Sequence, residues 1–421
     1  MTSRRSRPPR GFHACDRITR RHSQVRVLSM ARGPRLFGLA ALIAIGCASS
    51  GAHIGNNFTT YLIGGLVDRY GFSPVQMGAF AMTETLAYAI ALFLAAPRVA
   101  KLSSRTIAIM ASSMVVAGQG ICLVTAFYPL LLATRLVAGF GFGLLNCAVN
   151  LAAGQTGQPT RAISAGIALQ TLLFAAVNIA LPRIGASNGI EGMFAALSLL
   201  SAILGLGALL LPAERGATSV APADATPARI DAQGVMTLTA MALFTFGSMA
   251  IWPFMERTAH AIGMSAVEFG RYQSFATLMS AAGSFALMVF ASRLRRSLAL
   301  VAALLICGSA SAVLTTTSHA PILGLGLVLY NVSWFITYAL LVGLAFAVDS
   351  TGRLAVTASG TWLLFQSLGS LTAGIIAQAF GGYSPIGPLG LIACLVAVLI
   401  VWPVARRVER EGRTLAVVAA H

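Results

Sequence analysis

Two charged side chains stand where charge is poorly tolerated. Glu84 and Arg135 each lie inside a long apolar run, and Glu84 is the one acidic residue of twelve placed well within such a run. A charge at the centre of a membrane helix costs about 2.5 to 3.5 kcal/mol on insertion scales, so it is retained for function or held by a partner. Glu84 lies seven residues beyond Met77 and Arg135 six beyond Pro129. At about 1.5 Å per residue, both sit about 10 Å below the same surface, and an ion pair is expected. Two chemistries suit it. In one, Glu84 takes up and releases a proton, with Arg135 as its counter-ion or as the anchor of a substrate carboxylate. In the other, the pair is static and fastens two helices together. Desolvation favours the neutral acid and the guanidinium favours the anion, so a carboxyl group in this setting can couple its proton to conformation.

A second group of residues offers hydrogen bonds. Ser49 to Thr60 reads SSGAHIGNNFTT between apolar runs, and His53, Asn56 and Asn57 fall at i, i+3 and i+4 on one helical face. Such a stripe faces other helices or a cavity, because unpaired polar groups are not left in lipid. Further along stand Asn146 and Asn150, one turn apart, then Gln170 and Asn178. The C-terminal part instead offers aromatics: Trp252 and Phe254, then Asn331, Trp334 and Tyr338 on one face, then Trp362, Phe365 and Gln366. A polar wall opposite an aromatic wall suits a small organic molecule with an apolar body and a polar or anionic head. Against that stands plain packing, since interhelical hydrogen bonds are common structural glue and aromatics commonly anchor membrane helices. Glu256 and Arg257, near a helix end, are expected to form an exposed pair or a gate rather than a binding site.

The elements that must position these groups follow from composition. With 57% hydrophobic and 10% charged residues over 421 positions, the chain has too little polar surface for a water-soluble globule. It reads as an all-α membrane protein. The charge of +17 does not point to nucleic acid, because 10 of the 29 basic residues sit in the first 35 positions and nearly all the rest lie between apolar runs. Five cysteines, Cys47, Cys122, Cys147, Cys307 and Cys394, lie within those runs and read as packing residues. There is no His-Glu-x-x-His, no phosphate-binding Gly-x-x-x-x-Gly-Lys loop and no Gly-x-Ser-x-Gly elbow with triad partners, so neither an enzyme nor a cofactor is expected. Any uphill work would draw on an ion gradient, a proton gradient being the natural one for a buried carboxylate.

About twelve runs approach or exceed the roughly 20 residues that cross a hydrocarbon core. Their approximate limits are 36 to 66, 77 to 96, 106 to 127, 129 to 153, 162 to 183, 193 to 211, 236 to 255, 270 to 291, 298 to 316, 321 to 347, 355 to 380 and 386 to 404. Residues 1–35 read as a basic, disordered tail without the apolar core of a secretory signal. Met30 offers an alternative start. Residues 36–211 form one six-helix bundle, 212–234 an Ala, Pro and Thr-rich linker, 235–404 a second bundle and 405–421 a second tail. With both termini inside, 24 basic residues fall on the inner side and 4 on the outer. Both termini are therefore expected in the cytoplasm of a cell whose inner (plasma) membrane the chain crosses many times.

The two bundles are written as a repeat. Tyr70 to Gly78 reads YGFSPVQMG, and 192 residues later Ile262 to Gly270 reads IGMSAVEFG. Each copy carries a helix-start signature, a Ser followed three residues later by Gln76 or Glu268. At the same offset Pro129 matches Pro321 and Arg161 matches Arg353, while Glu84 and Arg135 fall on Ala276 and Leu327. The scaffold is duplicated; the charged pair is not.

In span number, central linker and internal repeat, residues 36–404 resemble the major facilitator superfamily of secondary transporters. The run from Arg135 to Gly143, RLVAGFGFG, is similar to the Arg-x-x-x-Gly-x-Gly pattern of that family's fourth span. The resemblance implies alternating access, with spans one, four, seven and ten lining a central site. It favours a solute-moving protein, preferably a proton symporter of a small organic anion, working as a monomer with a small-molecule solute and the lipid bilayer as its partners. Two departures bear on this. Ala96 to Arg105, APRVAKLSSR, lacks the Gly and Asp of the family's usual latch, and the fifth span lacks the Gly-Pro-rich pattern of drug and proton antiporters. Proton-driven export of an amphipathic compound remains the alternative within transport, and a non-transporting ligand sensor the alternative outside it.

Overall fold

Helix-start signals in this sequence place its elements closely. A computed structural model describes residues 39–99, 103–156, 158–212, 230–290, 294–349 and 353–418. The segment 1–35 expected as a basic tail lies outside the described residues, as does most of the 212–234 linker. The elements are helical: α1 (Leu39–Tyr70), α2 (Pro74–Val99), α3 (Ser104–Ile121), α4 (Tyr128–Gly154), α5 (Pro159–Ala208), α6 (Ala232–Ser248), a 3-10 turn (Trp252–Phe254), α7 (Met255–Ala261), α8 (Ala266–Phe290), α9 (Arg296–Thr316), α10 (Ala320–Val348), α11 (Arg353–Phe380) and α12 (Ile386–Val418). Among the described residues, ten helical stretches are long and apolar enough to cross a membrane.

The repeat is carried by backbone geometry. Gly71 and Gly263 both take positive φ, 64° and 82°, where a side chain would be strained, and so reverse the chain before α2 and α8. Ser73 then closes a reciprocal capping box: its N–H donates to Gln76 Oε1 at 2.8 Å and the Gln76 N–H donates to Ser73 Oγ at 3.3 Å. In the second copy the Glu268 N–H donates to Ser265 Oγ at 3.2 Å. The starts of α2 and α8, of α3 and α9, and of α4 and α10 are each 192 residues apart. The end of the bundle that bears the Gly71 and Gly263 turns is called the outer end below, following the charge pattern.

Three elements differ from expectation. The fifth and sixth runs form one 50-residue α5, broken at Gly189, whose φ of 67° and ψ of −165° turn the chain. The two arms lie along α1 together: Leu169 packs at Gly46, Ile190 and Met193 at Gly65, and Gly207 at Cys47. One glycine thus does the work expected of a loop. The seventh run is interrupted around Pro253, which has no N–H to donate, giving α6, a 3-10 turn and α7. Lastly, α12 continues past 404 through part of the expected tail. That extension is supported by an Arg407–Glu411 pair one turn apart at 2.9 Å and by the Ser297 hydroxyl donating to Glu409.

Two of the seams between the halves run along pairs of long helices. On one, α2 and α11 approach through Gly78 against the Ser370 backbone and Gly374 against the Pro74 backbone. On the other, Ser274 Oγ donates to the Ala175 carbonyl at 2.8 Å and Asn178 Nδ2 donates to Thr277 Oγ1 at 3.2 Å, joining α8 to α5. Large apolar side chains such as Leu172, Phe285 and Leu399 stay exposed on the periphery, as suits a hydrocarbon surrounding.

Candidate functional site

Glu84 of α2 and Arg135 of α4 come together in the N-terminal half. Arg135 Nη1 donates to Glu84 Oε2 at 3.0 Å, with the side chains 0% and 2% exposed. The approach is possible because Gly139, one turn beyond Arg135, faces the Glu84 backbone so closely that a Cβ there would collide with the carbonyl. Arg135 is enclosed on its other sides. Its Nη2 donates to Gln119 Oε1 at 2.9 Å and lies 3.4 Å from Cys122 Sγ, while the guanidinium sits over Phe80 and Phe194 at 5.3 and 5.5 Å. The guanidinium is thus held by Glu84 and Gln119, while its Nε is buried without a hydrogen-bond partner. Glu84 Oε1 has no hydrogen-bond partner and faces α1, where a Cβ on Gly55 would fall 2.5 Å from it.

The residue after Gly55 ties the halves together. Asn56 accepts twice from the C-terminal half: Trp252 Nε1 donates to its carbonyl and Gln366 Nε2 to its Oδ1, each at 2.6 Å. The unpartnered oxygen of the buried carboxylate therefore lies one residue from a junction of α1, the 3-10 turn and α11. His53 is half-buried on α1, with Nδ1 2.9 Å from the Ser49 carbonyl and Nε2 3.4 Å from Tyr88 Oη. Asn146 is half-buried on α4. Asn57 instead donates to the His53 carbonyl within its own helix at 2.9 Å, and Gln170 accepts from Ser49 Oγ at 2.8 Å, fastening α5 to α1. Asn150 is exposed, toward the inner end of α4.

In the C-terminal half, Trp334 stacks on Tyr338 with ring centroids 5.5 Å apart and planes 6° from parallel, and Trp362 of α11 meets both edge-on at 5.8 and 5.9 Å. Trp334 Nε1 is buried and has no partner. Asn331 does not join this cluster: it donates to the Leu327 carbonyl at 2.8 Å and accepts from Gln273 of α8 at 3.4 Å, holding two helices together.

Glu256 and Arg257 are not an exposed pair. They are 2% and 6% exposed, and Arg257 is gripped on both edges. Nε and Nη2 donate to Glu256 at 2.7 and 2.9 Å; Nη1 and Nη2 donate to Asp68 of α1 at 2.6 and 3.1 Å. The position near a helix end suggested exposure, but α7 tucks beneath α1, where Glu256 packs against Gly64 and its N–H donates to Thr60 Oγ1 at 2.9 Å. Tyr383, in the turn between α11 and α12, lies beside this clamp; burial pushes its hydroxyl above the usual range, opposed by Arg257 and reinforced by Glu256 and Asp68. Tyr88, Gln119, Asp68 and the burial of Glu256 went unrecognised in the sequence. Gln119 had a signal, an amide within an apolar run; Tyr88 had only its place one turn from Glu84.

The sequence matches the family described as Major Facilitator Superfamily over residues 42–373. Among solved structures, the nucleoside transporter NupG aligns over 87% of this chain and 98% of its own, at 14% identity and a TM-score of 0.66. The human organic anion transporter MFSD10 aligns over 86% and 98%, at 17% identity and 0.59. A D-xylose-proton symporter aligns over 85% and 96%, at 14% identity and 0.65. At these identities the likeness is one of fold. No curated protein matches the chain in sequence.

Proposed function

The chain belongs to the major facilitator superfamily, and on that premise we propose that it moves a small organic anion together with protons, by alternating access between two six-helix halves. The observation that carries this reading is the placement of Glu84. Its carboxylate is buried against Arg135 and turns an unpartnered oxygen toward Gly55, beside the Asn56 junction that binds the halves. Protonation removes the negative charge between α2, α4 and α1. Arg135 then keeps Gln119 but loses its ionic tie to α2. A change of charge at this point is positioned to bias the seam.

The fold has what alternating access needs. Counting the two arms of α5 separately, joining α6 to α7 and including α3 gives twelve crossings, six in each half, with both termini cytoplasmic by the charge pattern. The Asp68–Arg257–Glu256 clamp ties α1 to α7 at the outer end. That one similar structure is of an organic anion transporter and another of a proton symporter adds support for the substrate class and the coupling. The reading requires a proton gradient and no cofactor, and it places the protein in the inner (plasma) membrane. Proton-driven export of an amphipathic compound is the second reading, favoured by the Trp334, Tyr338 and Trp362 cluster.

The test is reconstitution. Full-length protein in proteoliposomes is offered labelled aromatic and aliphatic carboxylates, first with an inward proton gradient and then without. Accumulation that follows the gradient is the expected result; uptake that never exceeds equilibration refutes proton coupling, and outward pumping selects the exporter.

A further inference from the structure

We infer that Tyr88 is the substrate-anion donor of this transporter, and that its hydroxyl is released for that task when His53 takes up a proton. This deepens the proposed anion symport and rests on it. The argument begins with hydrogen-bond polarity. His53 Nδ1 is 2.9 Å from the Ser49 backbone carbonyl, and a carbonyl only accepts, so Nδ1 carries the proton of the neutral ring. Nε2 is then a bare acceptor. Its neighbour at 3.4 Å is Tyr88 Oη, which must be the donor of that bond. The chain therefore runs in one direction, from Tyr88 to His53 and on to the Ser49 carbonyl.

Protonation of His53 places a hydrogen on Nε2, and the ring now donates where it had accepted. Tyr88 Oη becomes an acceptor from His53, and its own O–H must turn to a new acceptor. A carboxylate oxygen satisfies it with a charge-assisted bond, next to a new positive charge on the imidazolium. Proton and anion thus favour each other at one place. Tyr88 is within electrostatic reach of Cys147 of α4 and, from the C-terminal half, of Tyr338. Tyr338 stacks on Trp334 and meets Trp362 edge-on, offering an apolar surface for the body of the anion. The titratable groups facing His53 are Tyr88 and, one turn away on α2, Glu84, which is neutralised by Arg135; from α5 it is approached by the neutral Gln170 through Ser49. The inferred class of substrate is a monocarboxylate on a flat apolar body.

The experiment uses the full chain in liposomes with benzoate as the probe. Nitrogen NMR of histidine-labelled protein, with His53 assigned by its loss in His53→Gln, is expected to show a protonated Nδ1 and a bare Nε2 at alkaline pH. Benzoate affinity is expected to rise about tenfold as the pH falls through the histidine range, the effect of gaining a charge-assisted hydrogen bond. Tyr88→Phe should hold affinity at its alkaline level at every pH, and so should His53→Gln, which serves if Tyr88→Phe does not fold. A proton on Nε2 at alkaline pH, a wild-type pH profile in the folded variants, or no benzoate binding to the wild type at acid pH overturns the inference. If NMR and binding follow expectation but no proton-driven accumulation occurs, the inference stands as a description of binding and the transport reading fails instead.

Discussion

Arg135 Nη1 meets Glu84 Oε2 at 3.0 Å, and neither side chain has more than 2% of its surface exposed. Removing either partner leaves the other buried and uncompensated. Arg135→Leu is therefore expected to destabilise the folded protein by about 3–5 kcal/mol, and the double change Glu84→Leu with Arg135→Leu by much less than the sum of the single ones. Thermal unfolding can be followed by the reactivity of the buried thiols of Cys122, Cys147, Cys307 and Cys394 as they become exposed. Additive losses would show that the pair is not an energetic unit.

Glu84→Gln keeps the shape and removes the titration. Uphill accumulation is expected to vanish while exchange of substrate across the membrane continues, because a permanently neutral side chain still permits the loaded halves to reorient. Unchanged accumulation under a proton gradient in reconstituted vesicles would reject Glu84 as the coupling group.

Gly139 and Gly154 sit on the same helix and should respond oppositely to a methyl group. A Cβ on Gly139 collides with the Glu84 backbone, whereas one on Gly154 meets nothing within 4 Å. Gly139→Ala is expected to cost about 1–3 kcal/mol through forced separation of α4 from α2. Gly154→Ala should be neutral or stabilising by up to about 1 kcal/mol through helix propensity. Melting temperatures of the two variants, measured side by side, decide it.

At the outer clamp the order of severity follows exposure. Asp68 has a side chain 60% exposed and Arg257 one of 6%. Asp68→Ala is expected to change stability by about 0–1 kcal/mol. Arg257→Ala should cost about 3–5 kcal/mol, since Glu256 is then left buried without its cation. It should also open the outer end. A cysteine introduced at Thr60, in a background without native cysteines, is expected to react with an impermeant maleimide faster in Arg257→Ala than with Arg257 intact. Equal rates would remove the clamp from the account of gating.

Most of the scaffold was legible because it depends on residues close together in the chain. Hydrophobic runs, the Ser73 and Ser265 caps and the Gly71 and Gly263 turns act over a few positions, and a repeat preserves them at a fixed offset. Helix rise alone put Glu84 and Arg135 at one depth. What sequence spacing leaves undecided is the direction in which a buried polar group points. A helical period shows that a face is covered without showing which helix covers it. Asn57 turned to its own helix and Asn331 to its own helix and to Gln273, whereas Asn56 reached Gln366, 310 residues away. Tertiary packing also buried Glu256 beneath α1 and joined Arg135 of α4 to Gln119 of α3. The sequence by itself determined a duplicated membrane bundle with one charged pair in its first half, because local hydropathy and capping suffice for that. Only the folded structure decided which side chains meet across the halves, because those contacts depend on helix rotation and crossing, which no local pattern encodes.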